Sequence, residues 1–180
     1  ASGETLRWGA DSEVDPTPKT AIKWILPAPD GSLWLGAPGS GLQRREPDNG
    51  RVLDFLEVTT PGLAMIGIGP EGQPWIAAED GLRRWDPDAR SFVVPPGMDA
   101  RPVLAFAFDG PERIWLHRLT GLEAWALDDG QWRRSLHLGM AQGIPATEAT
   151  GLVVDGQRRA WLATRRGLFR VEAGDDGDVA

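Results

Sequence analysis

The chain has 180 residues, 41% of them hydrophobic and 25% charged, a balance that fits one folded, soluble domain. A formal net charge of −7 argues against a nucleic-acid-binding surface, because phosphate contact needs a basic face. With no cysteine, disulfides and cysteine-ligated metals are excluded, and no apolar run approaches the ~20 residues that a membrane helix needs.

The elements follow in chain order. The N-terminus does not read as a signal peptide, so the chain is expected to be mature, processed, or a piece of a longer protein. Residues 4–8 read as an outer strand without its three partners. Four repeats follow, over approximately 21–56, 63–94, 102–136 and 150–180. Each opens on an apolar run: Ala21 to Leu26, Leu63 to Ile68, Val103 to Phe108, and Gly151 to Val154. A tight acidic-Gly turn comes next, at Asp30-Gly31, Glu71-Gly72, Asp109-Gly110 and Asp155-Gly156. The second strand carries a tryptophan, at Trp34, Trp75, Trp115 and Trp161, spaced 41, 40 and 46 residues apart. A Gly-Leu pair starts the third strand, at Gly41-Leu42, Gly81-Leu82, Gly121-Leu122 and Gly167-Leu168. A polar turn and a fourth strand close the unit.

Four short strands per ~40–45 residues is the period of a propeller blade. The fold class is therefore all-β, a β-propeller of four four-stranded antiparallel blades over a single segment, 1–180. The four repeat tryptophans are expected to form the structural core between blades, since a lone blade has two bare faces and must stack. The last unit ends where its fourth strand should begin, and residues 4–8 supply such a strand. Two arrangements fit: a small closed ring, or a partial propeller cut from a larger one. The slice is preferred, because four blades is the low extreme of the range.

These residues resemble the two-component regulator propeller repeat. Its pattern matches Asp30-Gly31-Ser32-Leu33-Trp34-Leu35-Gly36 with Gly41-Leu42-Gln43-Arg44, and Trp75-Ile76-Ala77 with Gly81-Leu82-Arg83-Arg84-Trp85-Asp86-Pro87. It matches again at Trp161-Leu162-Ala163-Thr164 with Gly167-Leu168-Phe169-Arg170. Ala77, His117 and Ala163 depart from the glycine that follows the tryptophan in the family, and the third unit diverges most. The resemblance implies a periplasmic or extracytoplasmic sensor region of a bacterial signalling protein. In several such relatives the ligand is an oligosaccharide. The function expected is ligand sensing without catalysis. The alternatives are a protein-interaction propeller that binds itself or a partner and, more remotely, a lyase- or lactonase-type enzyme.

The loops between second and third strands share one end of the blades with the interblade connections. Arg118, Arg165 and Arg166 would place guanidinium forks there, suited to carboxylate or sulfate groups. Glu79, Asp80 and His117 join them as candidate ligand contacts, while the bland reading of the three arginines is ordinary solvated loop charge and that of His117 is a side chain that fills space or meets water. His137 is expected to have no role. No catalytic residue, metal ligand or cofactor site is expected: two histidines and no cysteine form no ligand spacing. A small-molecule or oligosaccharide ligand, a second copy, or further blades of a parent chain are the expected partners. Nucleic acid and direct membrane insertion are not.

Overall fold

The computed structural model describes residues 21–37, 39 and 41–172. It is an all-β structure of propeller blades, as the repeat predicts. The chain divides into two compact units between Thr59 and Thr60.

The first unit holds one blade, with strands β1 (Trp24–Pro27), β2 (Leu33–Ala37), β3 (Gly41–Arg45) and β4 (Val52–Leu56) paired in chain order. All pairs are antiparallel. Asp30 builds its first turn, accepting the Ser32 backbone N–H at 2.9 Å and the Ser32 hydroxyl at 2.6 Å.

The second unit holds three blades. Blade 2 is β5 (Met65–Ile68), β6 (Pro74–Ala78), β7 (Gly81–Asp86) and β8 (Ser91–Val93). Blade 3 is β9 (Ala105–Phe108), β10 (Arg113–Arg118), β11 (Gly121–Asp128) and β12 (Gln131–Leu138). Blade 4 is β13 (Ala149–Val154), β14 (Ala160–Thr164) and β15 (Gly167–Val171), three strands among the described residues. Its expected fourth strand, like the strand expected at residues 4–8, lies outside them. The connection between blades 3 and 4 contains one short 3₁₀ turn, Met140–Gln142, which the sequence pattern did not reveal.

Strand alternation gives each sheet two faces, and both are buried where blades stack. One face carries the repeat tryptophan and the Gly-Leu leucine. The other carries the aliphatic neighbours of that tryptophan. Between blades 2 and 3, Trp75, Ala77 and Leu82 meet Phe106, Ile114, Leu116 and Trp125. Between blades 3 and 4, Trp115, Leu122 and Ala124 meet Leu152, Ala160, Leu162 and Val171. The order is the same at both interfaces: the tryptophan face of one blade packs on the aliphatic face of the next. Trp75 is extended by edge contacts to Phe108 at 5.2 Å and Trp132 at 6.3 Å, the geometry aromatic quadrupoles favour. Burying one such indole contributes on the order of 3 kcal/mol.

The glycines of the Gly-Leu pairs, Gly41, Gly81, Gly121 and Gly167, share a positive φ, and Gly121 adds a close approach. Its φ is 138°, and a Cβ there would lie 2.1 Å from the Leu138 carbonyl oxygen. Only glycine allows β12 to approach β11 this closely at the turn.

Candidate functional site

The strongest polar cluster lies at the end of blade 3 that carries the β10–β11 turn and the connection from blade 2. Its hub is Glu123 on β11, fully buried on the aliphatic face. Glu123 Oε2 accepts from Arg118 Nε at 3.0 Å and from Trp125 Nε1 at 3.0 Å. Oε1 accepts from Arg134 Nη1 at 3.1 Å and Arg101 Nη2 at 3.4 Å, with His137 Nδ1 3.6 Å away. Arg118 then reaches the interblade connection. It donates to the carbonyls of Arg101 and Pro102 and to Asp99 Oδ1 at 2.9 Å. Arg101 folds back on Asp99, with Nη2 at 2.7 Å and Nε at 2.9 Å from Oδ2.

The electrostatics follow from this geometry. Burial pushes the Glu123 carboxyl up, but the hydrogen bonds from Trp125 and Arg118 and the Arg118 charge outweigh it and hold the group below the ordinary range. Asp99 is likewise held low, partial burial being overcome by hydrogen bonds from Arg101 and by the charge of Arg118. Asp99, above all, raises Arg101 in return, against its own partial burial. Three guanidinium groups thus surround two carboxylates. Arg101 and Arg134 remain about half exposed, so their outward edges meet solvent while their inner edges are fixed.

The sequence-predicted residues divide around this cluster. Arg118 was expected as a free loop cation and is instead buried, 3% exposed and paired on every edge. It is the last residue of β10, and alternation turns it into the blade 2–blade 3 interface with Leu116. His117, a candidate ligand contact whose bland reading is a side chain that fills space, is fully buried, opposite Ala105 and Leu122 on the tryptophan face. Neither of its ring nitrogens has a hydrogen-bond partner, and burial lowers its pKa to about 4. Arg165 and Arg166 are exposed in the β14–β15 turn, where Thr164 Oγ1 accepts the Arg166 N–H at 3.0 Å. Glu79 is exposed in the β6–β7 turn, and Asp80 beside it pairs with Arg83 at 2.5 Å. These four residues make no hydrogen bond or ion pair to the Glu123 cluster.

Of the core tryptophans, Trp34, Trp75 and Trp115 are buried, but Trp161 is only half-buried and donates to Asp155 Oδ2 at 2.8 Å. Sequence reasoning missed Glu123, Asp99, Arg101 and Arg134. It also set aside His137, which faces the hub. One signal was readable: Glu123 shares the strand parity of Trp125, so its carboxylate had to point into an interface and find cations there.

A second feature lies at the opposite end of the same interface. It is a cleft of about 270 Å³ whose lining includes Trp75, Phe108, Trp132, Pro95, Pro96 and Arg84. Trp75 Nε1 and Arg84 Nε are buried at its edge without partners. No group of three or more histidine or carboxylate side chains placed to hold a metal occurs among the described residues. Among the described residues, no helix is long and apolar enough to cross a membrane.

No protein-family model matches the chain, and no curated protein matches it. Solved structures do. An auxiliary nutrient binding protein from Bacteroides ovatus is 12% identical, with a TM-score of 0.67 over 88% of this chain and 40% of its own. Virginiamycin B lyase from Staphylococcus aureus is 15% identical, with a TM-score of 0.63 over 92% of this chain and 56% of its own. The extracellular domain of a B. thetaiotaomicron protein described as a hybrid two-component system is 13% identical, with a TM-score of 0.65 over 96% of this chain. This chain spans a quarter to just over half of the length of these proteins. At such identities the likeness establishes the propeller fold, which extracellular signalling domains share with a lyase and a binding protein.

Proposed function

We propose that this chain is a ligand-sensing propeller segment of an extracytoplasmic, two-component-type signalling protein, without catalysis of its own. The observation that carries the reading is the rigid cationic rim on blade 3. Arg134 is oriented by the buried Glu123 carboxylate and Arg101 chiefly by Asp99, and both present their free edges to solvent. A guanidinium fixed in this way loses little rotamer freedom on binding a carboxylate or sulfate group. The ligand class is an acidic saccharide or another small carboxylated or sulfated molecule. The resemblance of the repeat to two-component regulators supports the reading, as does the structural likeness to extracellular domains of B. thetaiotaomicron signalling proteins. The non-catalytic assignment is supported by the chemistry of the hub. Both oxygens of Glu123 are committed to arginine and indole donors and its proton affinity is lowered, the opposite of what a general acid or base near neutral pH requires.

The test is calorimetric titration with neutral, uronic-acid and sulfated oligosaccharides, on the wild type and on R101A, R134A and R165A/R166A. Binding of the acidic classes is expected, with about tenfold or greater loss in R101A and R134A and little change in R165A/R166A. Equal affinity in R101A, R134A and wild type would remove the rim from the binding site.

A further inference from the structure

Blade 4 leaves bare the face that the other blades of its unit bury. Leu168 occupies the repeat position of Leu82 and Leu122, which are 1% and 0% exposed, yet it is 65% exposed itself. Val153, paired across the strands with Trp161, is also exposed, and Trp161 is only half-buried. This is the tryptophan face, which in blades 2 and 3 is covered by the aliphatic face of the following blade.

The first unit carries the other half of such an interface. Ile25, Leu33 and Leu35 occupy the repeat positions of Phe106, Ile114 and Leu116. The latter three are buried against blade 2, whereas Ile25 is 64% exposed and Leu33 and Leu35 are half-buried. With Ile22 they line an apolar cleft of about 190 Å³. The equivalents of Val153 and Ile25 touch at the blade 2–blade 3 interface. Those equivalents are Gly67 and Phe106, and a Cβ on Gly67 would lie 2.7 Å from the phenyl ring. Val153 and Ile25 shift the bulk between the two faces, a larger residue on the tryptophan face and a smaller one on the aliphatic face.

We infer that the tryptophan face of blade 4 docks the aliphatic face of blade 1 in a second copy of this chain. The contact repeats the construction of the two interfaces within the second unit. It is heterologous, head to tail, so it either closes into a ring or continues as a larger arc. It does not depend on the sensing role and involves none of the rim residues.

The absence of cysteine makes the contact directly measurable. V153C and I25C proteins, mixed under mild oxidation, are expected to form a mixed disulfide that neither variant forms alone. Light scattering of the wild type is expected to show a mass rising about twofold or more with concentration. L168K is expected to stay monomeric and, at protein concentrations below association, to unfold at the same denaturant midpoint as the wild type, because Leu168 is already exposed. Three results would each overturn the inference: a wild type that stays monomeric throughout, an L168K protein that associates unchanged, or a V153C/I25C double variant that oxidises only within single chains.

Discussion

Arg118 Nε donates to Glu123 Oε2 at 3.0 Å with both side chains shut off from solvent, so blade 3 holds the connection from blade 2 through a buried ion pair. Removing either member breaks a buried charged pair, while Glu123 keeps Arg101, Arg134 and Trp125 and Arg118 keeps Asp99 and two carbonyls, so the cost is about 3 kcal/mol, the low end of the range for a broken buried pair. R118A and E123A are therefore both expected to lower unfolding stability by that amount. E123Q, which keeps the shape and an acceptor, is expected to lose less. Urea titrations of the three variants check the order, and an E123A protein as stable as E123Q would show that the shape and the retained acceptor contribute nothing beyond the lost charge.

His117 sets a pH dependence. The folded protein keeps it neutral down to about pH 4, while the unfolded chain protonates it near 6.5. The unfolded state binds the extra proton between those values. Stability is therefore complete above about pH 6.5 and falls as pH drops toward 4. The loss between about pH 7 and 5 is about 2 kcal/mol. The carboxylates held low, Asp99 and Glu123, lose their contribution only below about pH 4.5 and leave this window clear. H117L is expected to flatten the curve between pH 7 and 5, as read from denaturant midpoints. An unchanged slope would assign the effect elsewhere.

One repeat position predicts two different costs. L122A empties a fully buried site and is expected to destabilise by about 2–5 kcal/mol. L168A alters the same place in the next blade, where the side chain is mostly exposed, and at protein concentrations below association should change stability by less than about 0.5 kcal/mol. Paired thermal melts decide it.

Gly121 is expected to differ from the turn glycine Gly130 in the same way. G121A drives a Cβ into the Leu138 carbonyl at positive φ, and is expected to cost more than about 3 kcal/mol or to prevent folding. G130A meets nothing within 4 Å and carries only the strain of its φ of 72°, about 1 kcal/mol. Soluble expression and urea midpoints of the two variants are the measurement.

The blades were legible because their signals are local and repeated. Each tryptophan strand, each Gly-Leu pair and each acidic-Gly turn imposes its own conformation, and four recurrences fix the register. The site was less legible, because it depends on which residues meet across an interface. Arg118 reads as loop charge by its nearness to the Leu119-Thr120 turn, but the strand runs one residue further and alternation folds it inward onto Glu123. Asp99 and Arg101 sit in a connection with no periodicity, so nothing local places them against β11. Trp161 matches its three counterparts in sequence and differs only in what covers it, which no local pattern records.

Thermal denaturation with a graded series of sulfated and carboxylated oligosaccharides tests the sensing assignment most directly. The account predicts a rise in melting temperature with the acidic members, absent with neutral ones and lost in R101A and R134A. A melting temperature indifferent to every acidic member, or a rise that survives in both arginine variants, would contradict it.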